Sequence, residues 1–168
     1  MITNNIVLDS SVGIDLRDGQ SAEVLNNTVV NIEGPPDGWY YQGDMVYPAR
    51  QGDAGGIDSH ISGPYAILNN IIFGPFDWGL GLHAAPSAGS RVDYNLMWGT
   101  NNMYGGPGWT AASLNNRVAD PLFVDAADWD FYLLLDSPAI DPGDPAIFDF
   151  DGSPSDQGAN GGPMGNAW

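Results

Sequence analysis

The chain has 168 residues and a formal net charge of −17, with no lysine, no cysteine and only four cations, Arg17, Arg50, Arg91 and Arg117. That balance argues against nucleic acid as a partner, because phosphate binding needs clustered Lys and Arg, and the lack of cysteine excludes disulfides and thiolate metal sites. No apolar run is long enough to span a membrane, and the N-terminus lacks a basic n-region and an apolar h-region, so any export signal is expected upstream of this sequence.

Nearly all the acids are Asp, and Gly, Pro and Asn abound, which predicts many short strands joined by turns and no good helix. Residues 2–8, ITNNIVL, match the end of a unit that then recurs in full. The unit reads GIDLRDGQSAEVLNN at 13–27, GIDSHISGPYAILNN at 56–70 and GLHAAPSAGSRVDYN at 81–95. Each copy places an apolar residue after glycine and a short apolar strand before Asn. Such a period predicts one coil of a β-solenoid per copy, three to four coils in all.

Asn5, Asn27, Asn70 and Asn95 fall at one station of this repeat. Stacked at the strand spacing of about 4.8 Å, their amides are expected to form a ladder that satisfies a buried turn. The first interval is 22 residues and the second is 43. The longer one holds 32–55, rich in aromatics and carrying Pro35, Pro36 and Pro48. Proline cannot donate to a ladder, so an excursion from one coil is expected in place of an extra coil.

After Asn95 the repeat fades. The tract that follows contains DPLFVD, DSPAIDPGD and DFDGSPSDQGANGGP. These strings resemble the C-terminal end of secreted bacterial proteins of the pectate-lyase-like superfamily, whose fold is a right-handed parallel β-helix. The resemblance implies that fold, with coils over 1–118 and a closing segment over 119–168 packed on the helix end. It also implies secretion or display at the cell surface, an extracellular polysaccharide as partner, and upstream coils that carry the usual catalytic residues. A chain that begins in mid-coil is thus expected to be a fragment of a larger protein, or to associate end to end with a second chain.

Alternation places the residue after each glycine inward and its successor outward. The outward column is then Asp15, Asp58 and His83, with Arg17, His60 and Ala85 in the next. Two carboxylates one coil apart would lie about 5 Å from each other, near the separation used by retaining glycosidases, and a histidine beside them could act as acid or base near neutral pH. Exposed Asp, His and Arg on a sheet face are also common as solvated neighbours. In pectate lyases the resemblance points to acidic Ca²⁺ ligands plus an Arg base, and Arg17 is the sole candidate for that base here. A polysaccharide lyase, a glycoside hydrolase and a binding module without chemistry therefore all remain open.

Aromatic residues flank the patch in sequence. Trp39, Tyr40, Tyr41 and Tyr47 lie in the long excursion, and Phe76 and Trp78 lie in the equivalent connection of the next coil. Flat amphipathic rings suit sugar faces, and they also pack loops onto a scaffold. Asp149, Asp151 and Asp156 place oxygen donors around a glycine turn, a candidate structural Ca²⁺ site that lacks the closing Glu of an EF-hand. Asp125, Asp128 and Asp130 form a second acidic cluster; Asx-turns account for many such residues without metal. The competing reading of the whole chain is a structural module, a stalk or fibre component that stacks through its open coil end.

Overall fold

The computed structural model describes residues 1–10, 12–17, 19–31, 55–107 and 115–165, together with the backbone of a hairpin at 39–42 and 45–48. Its strands follow the repeat. The first coil contributes β1 (Ile2–Thr3), β2 (Ile6–Leu8) and β3 (Ile14–Leu16), and the second β4 (Ala22–Leu25) and β5 (Thr28–Val30). The hairpin strands β6 (Trp39–Gln42) and β7 (Met45–Pro48) precede β8 (Gly55–Ser59), which completes the second coil. The third coil is β9 (Tyr65–Leu68), β10 (Ile71–Phe73) and β11 (Trp78–Leu82). The fourth is β12 (Arg91–Asp93), β13 (Leu96–Trp98) and β14 (Asn102–Gly105), followed by β15 (Arg117–Val118). The antiparallel pair β16 (Phe123–Asp125) and β17 (Asp130–Leu133) lies beyond, joined by a 3₁₀ turn.

Three parallel sheets result, in the orders β1-β4-β9-β12, β2-β5-β10-β13-β15 and β3-β8-β11-β14. This interleaving is a right-handed parallel β-helix. Strand β8 pairs directly with β3, Ile14 opposite Ile57 and Asp15 opposite Asp58, so the 43-residue interval is one coil with an excursion, as expected. Antiparallel pairing of β6 with β7 shows that part of the excursion forms a hairpin of its own.

The core forms where the three sheets face each other. Val24 and Ile67 stack from the first sheet, Val29, Ile72 and Met97 from the second, and Ile57, Leu80 and Leu82 from the third, all essentially buried. Each such side chain contributes about 1.5–3 kcal/mol by leaving water. Like residues recur at like stations because each rung must fill the same cross-section as its neighbour.

The Asn ladder runs the length of the coils. Asn5, Asn27, Asn70 and Asn95 each donate a side-chain N–H to the amide oxygen of the next, at 3.0, 3.0, 2.8 and 2.9 Å, ending on Asn116. That oxygen also accepts the preceding rung's backbone N–H. The residue before each of the first four rungs, Asn4, Asn26, Asn69 or Tyr94, turns the chain in the left-handed region with φ of 52–58°. Asn tolerates that conformation better than other residues with a β-carbon, which is why the repeat writes Asn twice.

Residues from Ala119 onward run back along the flank of the coils. Ile71 and Leu96, on the outer face of the second sheet, are covered by Leu133 and Ala139, with Phe123 and Ile140 beside them. Arg117 donates to the carbonyl of Pro138 and to Gln157, and Arg91 pairs with the buried Asp144. Further along, Asn69 accepts from the backbone N–H of Asp144, Asn26 donates to the carbonyl of Asp156, and Asn4 donates to the carbonyls of Ala159 and Gly161. The first Asn of the pairs at 4–5, 26–27 and 69–70 thus ties down this tract while the second builds the ladder.

Candidate functional site

The chemistry-bearing residues lie on the outer face of the third sheet. Pairing of β3, β8, β11 and β14 sets Asp15, Asp58, Gly81 and Gly105 in one row. The ladder continues through the backbone N–H of His60 to Leu16 and of His83 to Ser59, which sets Arg17, His60 and His83 in the next row. His83 therefore stacks on His60 and does not follow Asp58. The expected alignment was two residues out of register in the third copy, where Gly81, and not His83, occupies the station of Asp58. A slip of two preserves which face each side chain takes, so the alternation was right and the neighbours were not.

Two Asp–His pairs result, each joining one coil to the next. Asp15 lies 3.7 Å from His60 Nε2 through one oxygen and accepts from Arg17 Nε at 2.6 Å through the other. Asp58 Oδ2 lies 3.6 Å from His83 Nε2, and its Oδ1 accepts the indole N–H of Trp78 at 2.7 Å. The His60 and His83 rings stack face to face at 4.2 Å with planes 4° apart, and Trp78 meets His83 edge-on at 5.8 Å. Glycine makes the arrangement possible. A β-carbon at Gly81 would stand 2.1 Å from Asp58 Oδ1 and 2.6 Å from the indole nitrogen, and one at Gly105 would stand 2.5 Å from the Trp78 ring. Gly81 and Gly105 are thus the floor on which Trp78 and Asp58 lie.

The site is asymmetric electrically. Burial pushes the Asp58 carboxyl above its ordinary range, opposed by the Trp78 hydrogen bond and by His83, while Asp15 adds to the rise and His60 opposes it. His60 is held below the ordinary imidazole value, first by burial and next by His83, with Arg17 adding to this and Asp15 and Asp58 acting against it. His83 Nε2 is fully shielded from solvent and has no hydrogen-bond partner. Such an orphan is uncommon, because an unmade buried bond costs about 1–3 kcal/mol. Among the described residues, Asp58, His60 and His83 are the one group of three whose donor atoms converge, all within 4.8 Å of each other, so they could hold a metal ion.

The other candidates lie elsewhere. Phe76 is fully buried in the main core, where it anchors its loop and offers no ring to solvent. The side chains of Trp39, Tyr40, Tyr41 and Tyr47 lie outside the described residues. Asp149 accepts the backbone N–H groups of Asp156 and Gly162, Asp156 accepts that of Asp141, and Asp151 accepts that of Ser153. Their carboxylates close turns in the returning tract. Asp125 and Asp130 do the same for Ala127 and Tyr132.

Two features escaped the sequence reading. The fifth ladder rung, Asn116, is signalled by the Asn115–Asn116 pair 21 residues after Asn95. The tie between Trp78 and Asp58 had no sequence signal, because the two residues belong to different coils and meet only through the glycine floor. Comparison with protein-family models, curated proteins and solved structures gives no match to this chain. No described helix is long and apolar enough to cross a membrane.

Proposed function

We propose that the chain is an extracellular, secreted or surface-displayed, polysaccharide-binding module, and that the outer face of the third sheet around Trp78 is where a sugar segment rests. The observation that carries this reading is Trp78, half-buried, supported by Gly105 and tied to Asp58, with Asp15, Arg17, His60 and His83 alongside. An aromatic face held still beside hydrogen-bonding groups matches a sugar ring, whose C–H patches alternate with hydroxyls. The two Asp–His pairs add carboxylate and imidazole groups, the kinds of side chain used as acid and base. Cleavage by hydrolysis or elimination is therefore assayed together with binding.

The test is a glycan array and affinity electrophoresis on the purified chain, with and without Ca²⁺, accompanied by reducing-end and unsaturated-product assays. Binding to a polysaccharide that falls at least tenfold in Trp78→Ala is the expected outcome. Absence of binding to every acidic and neutral polysaccharide sinks the reading.

A second reading, an assembly module, draws on a separate observation. Among the described residues, strands β1, β2 and β3 sit at the ends of their sheets and pair on one side only, and Ile6 and Leu8 beside that edge are exposed. Open edges template the addition of another chain. Concentration-dependent growth in sedimentation velocity, abolished by Ile6→Lys, would favour it. A monomer at all concentrations would dismiss it.

A further inference from the structure

We propose that Asp58, His60 and His83 form a binding site for a divalent transition-metal ion of the Zn²⁺ class, shared by two successive coils. The inference concerns the same face as the polysaccharide reading, but it rests on the donor set and not on sugar binding.

Three observations converge. The donor atoms of one carboxylate and two imidazoles lie within 4.8 Å of one another. His83 Nε2 is shut off from solvent with no partner at hydrogen-bond distance, and it faces Asp58 Oδ2 at 3.6 Å, so the nitrogen is aimed into the cluster. Trp78 Nε1–H holds the other Asp58 oxygen at 2.7 Å, which orients the carboxylate and leaves Oδ2 toward the histidines. A hydrogen bond of that kind from outside the ligand set is the usual support of a metal-binding carboxylate.

The chemistry of the donors selects the ion. Calcium takes six to eight oxygens and has little use for imidazole, whereas two nitrogens and one carboxylate suit Zn²⁺ and its first-row neighbours. Ligand atoms around such an ion stand about 3.4 Å apart, given bonds of about 2.1 Å in tetrahedral geometry. The cluster must therefore close by about an ångström, and the parallel imidazoles must tilt toward each other. Rotation of His60, which is about one-third exposed, supplies that movement without disturbing the core. Three protein ligands leave at least one coordination position for a water or a ligand oxygen on the open face.

The site binds one ion per chain. Isothermal titration of the full chain with Zn²⁺, and Co²⁺ substitution followed by visible absorption, are the measurements. A 1:1 stoichiometry with tetrahedral-type Co²⁺ bands is expected, with affinity at least tenfold lower in His60→Ala and in His83→Ala. Far-ultraviolet circular dichroism checks that each variant keeps the β-helix, and His60→Ala, on the outer face and about one-third exposed, keeps the test usable if His83→Ala does not fold. No Zn²⁺ binding, binding unchanged in folded His60→Ala, or Ca²⁺ binding as tight as Zn²⁺ would each overturn the proposal. Polysaccharide binding is measured separately with the metal chelated: absence of Zn²⁺ binding in the parent chain refutes this site alone, and absence of sugar binding in the parent chain refutes the sugar reading alone.

Discussion

The Asn turn and the outer face of the third sheet are both columns of polar side chains stacked one coil apart, yet they end in opposite states. In the turn every rung is the same residue, so each amide meets its own complement 2.8–3.0 Å away and the buried polar groups are matched. On the sheet face the stations hold Asp, Gly, His and Arg, and the matching fails at one atom, His83 Nε2. Repetition of residue type satisfies a buried column by itself. Variation of type leaves a remainder, and the remainder is where a ligand can be held.

Breaking the matched column should cost the most. Asn70→Ala strips partners from the carbonyls of Val24 and Leu68 and from the backbone N–H of Asn27, all deep in the coils. A loss of about 3–5 kcal/mol in urea unfolding is expected. The same change at Asn5, on the exposed outer coil, should cost less than about 1 kcal/mol. Equal costs at the two positions would mean that the ladder is not a cooperative buried column.

Gly81→Ala comes next and acts on the other column. Its β-carbon would collide with Asp58 and Trp78, so the carboxylate must move, with about 1–3 kcal/mol of overpacking. Zn²⁺ affinity should fall by roughly tenfold or more, as when a supporting contact of a metal ligand is lost. An unchanged affinity would show that Asp58 is not held in place by that floor.

Asp58→Asn should reverse the sign seen in the ladder. The folded-state pKa of Asp58 is raised, so the fold binds more protons than the unfolded chain between the unfolded and folded values. The stability associated with this group is present below the ordinary carboxylate value and is lost as pH rises through the folded value. Asparagine removes the charge and the loss, so the variant should equal or exceed the parent in thermal stability at pH 7 while losing metal affinity. Lower stability at pH 7 would mean that the ionised carboxylate is matched after all.

The smallest effect is expected at His60. Its folded pKa is lowered, so stability is full above the unfolded value near 6.5 and is lost as pH falls toward the folded value. Thermal melts of His60→Gln against the parent, between pH 7.5 and 4.5, should show a flatter acid limb in the variant.

Much of this was legible from residues alone. The Gly-apolar pattern and the paired Asn residues fixed the solenoid, the ladder from Asn5 to Asn95, and the face on which Asp15, Arg17, Asp58, His60 and His83 emerge, because facing follows from alternation along a single strand. Only the folded chain decided which of those side chains meet. A slip of two residues leaves facing untouched, so the third copy could sit with Gly79 or Gly81 opposite Gly56. Leu80 and Leu82 filling the core under Ile57 and Ser59 settle that register. The same packing turns Phe76 inward, lays Trp78 over the glycines, and buries Asp58 deeply enough to raise its pKa. Local sequence sets the direction of a side chain; its neighbours in the next coil, and with them its chemistry, are set by how the coils fill their shared core.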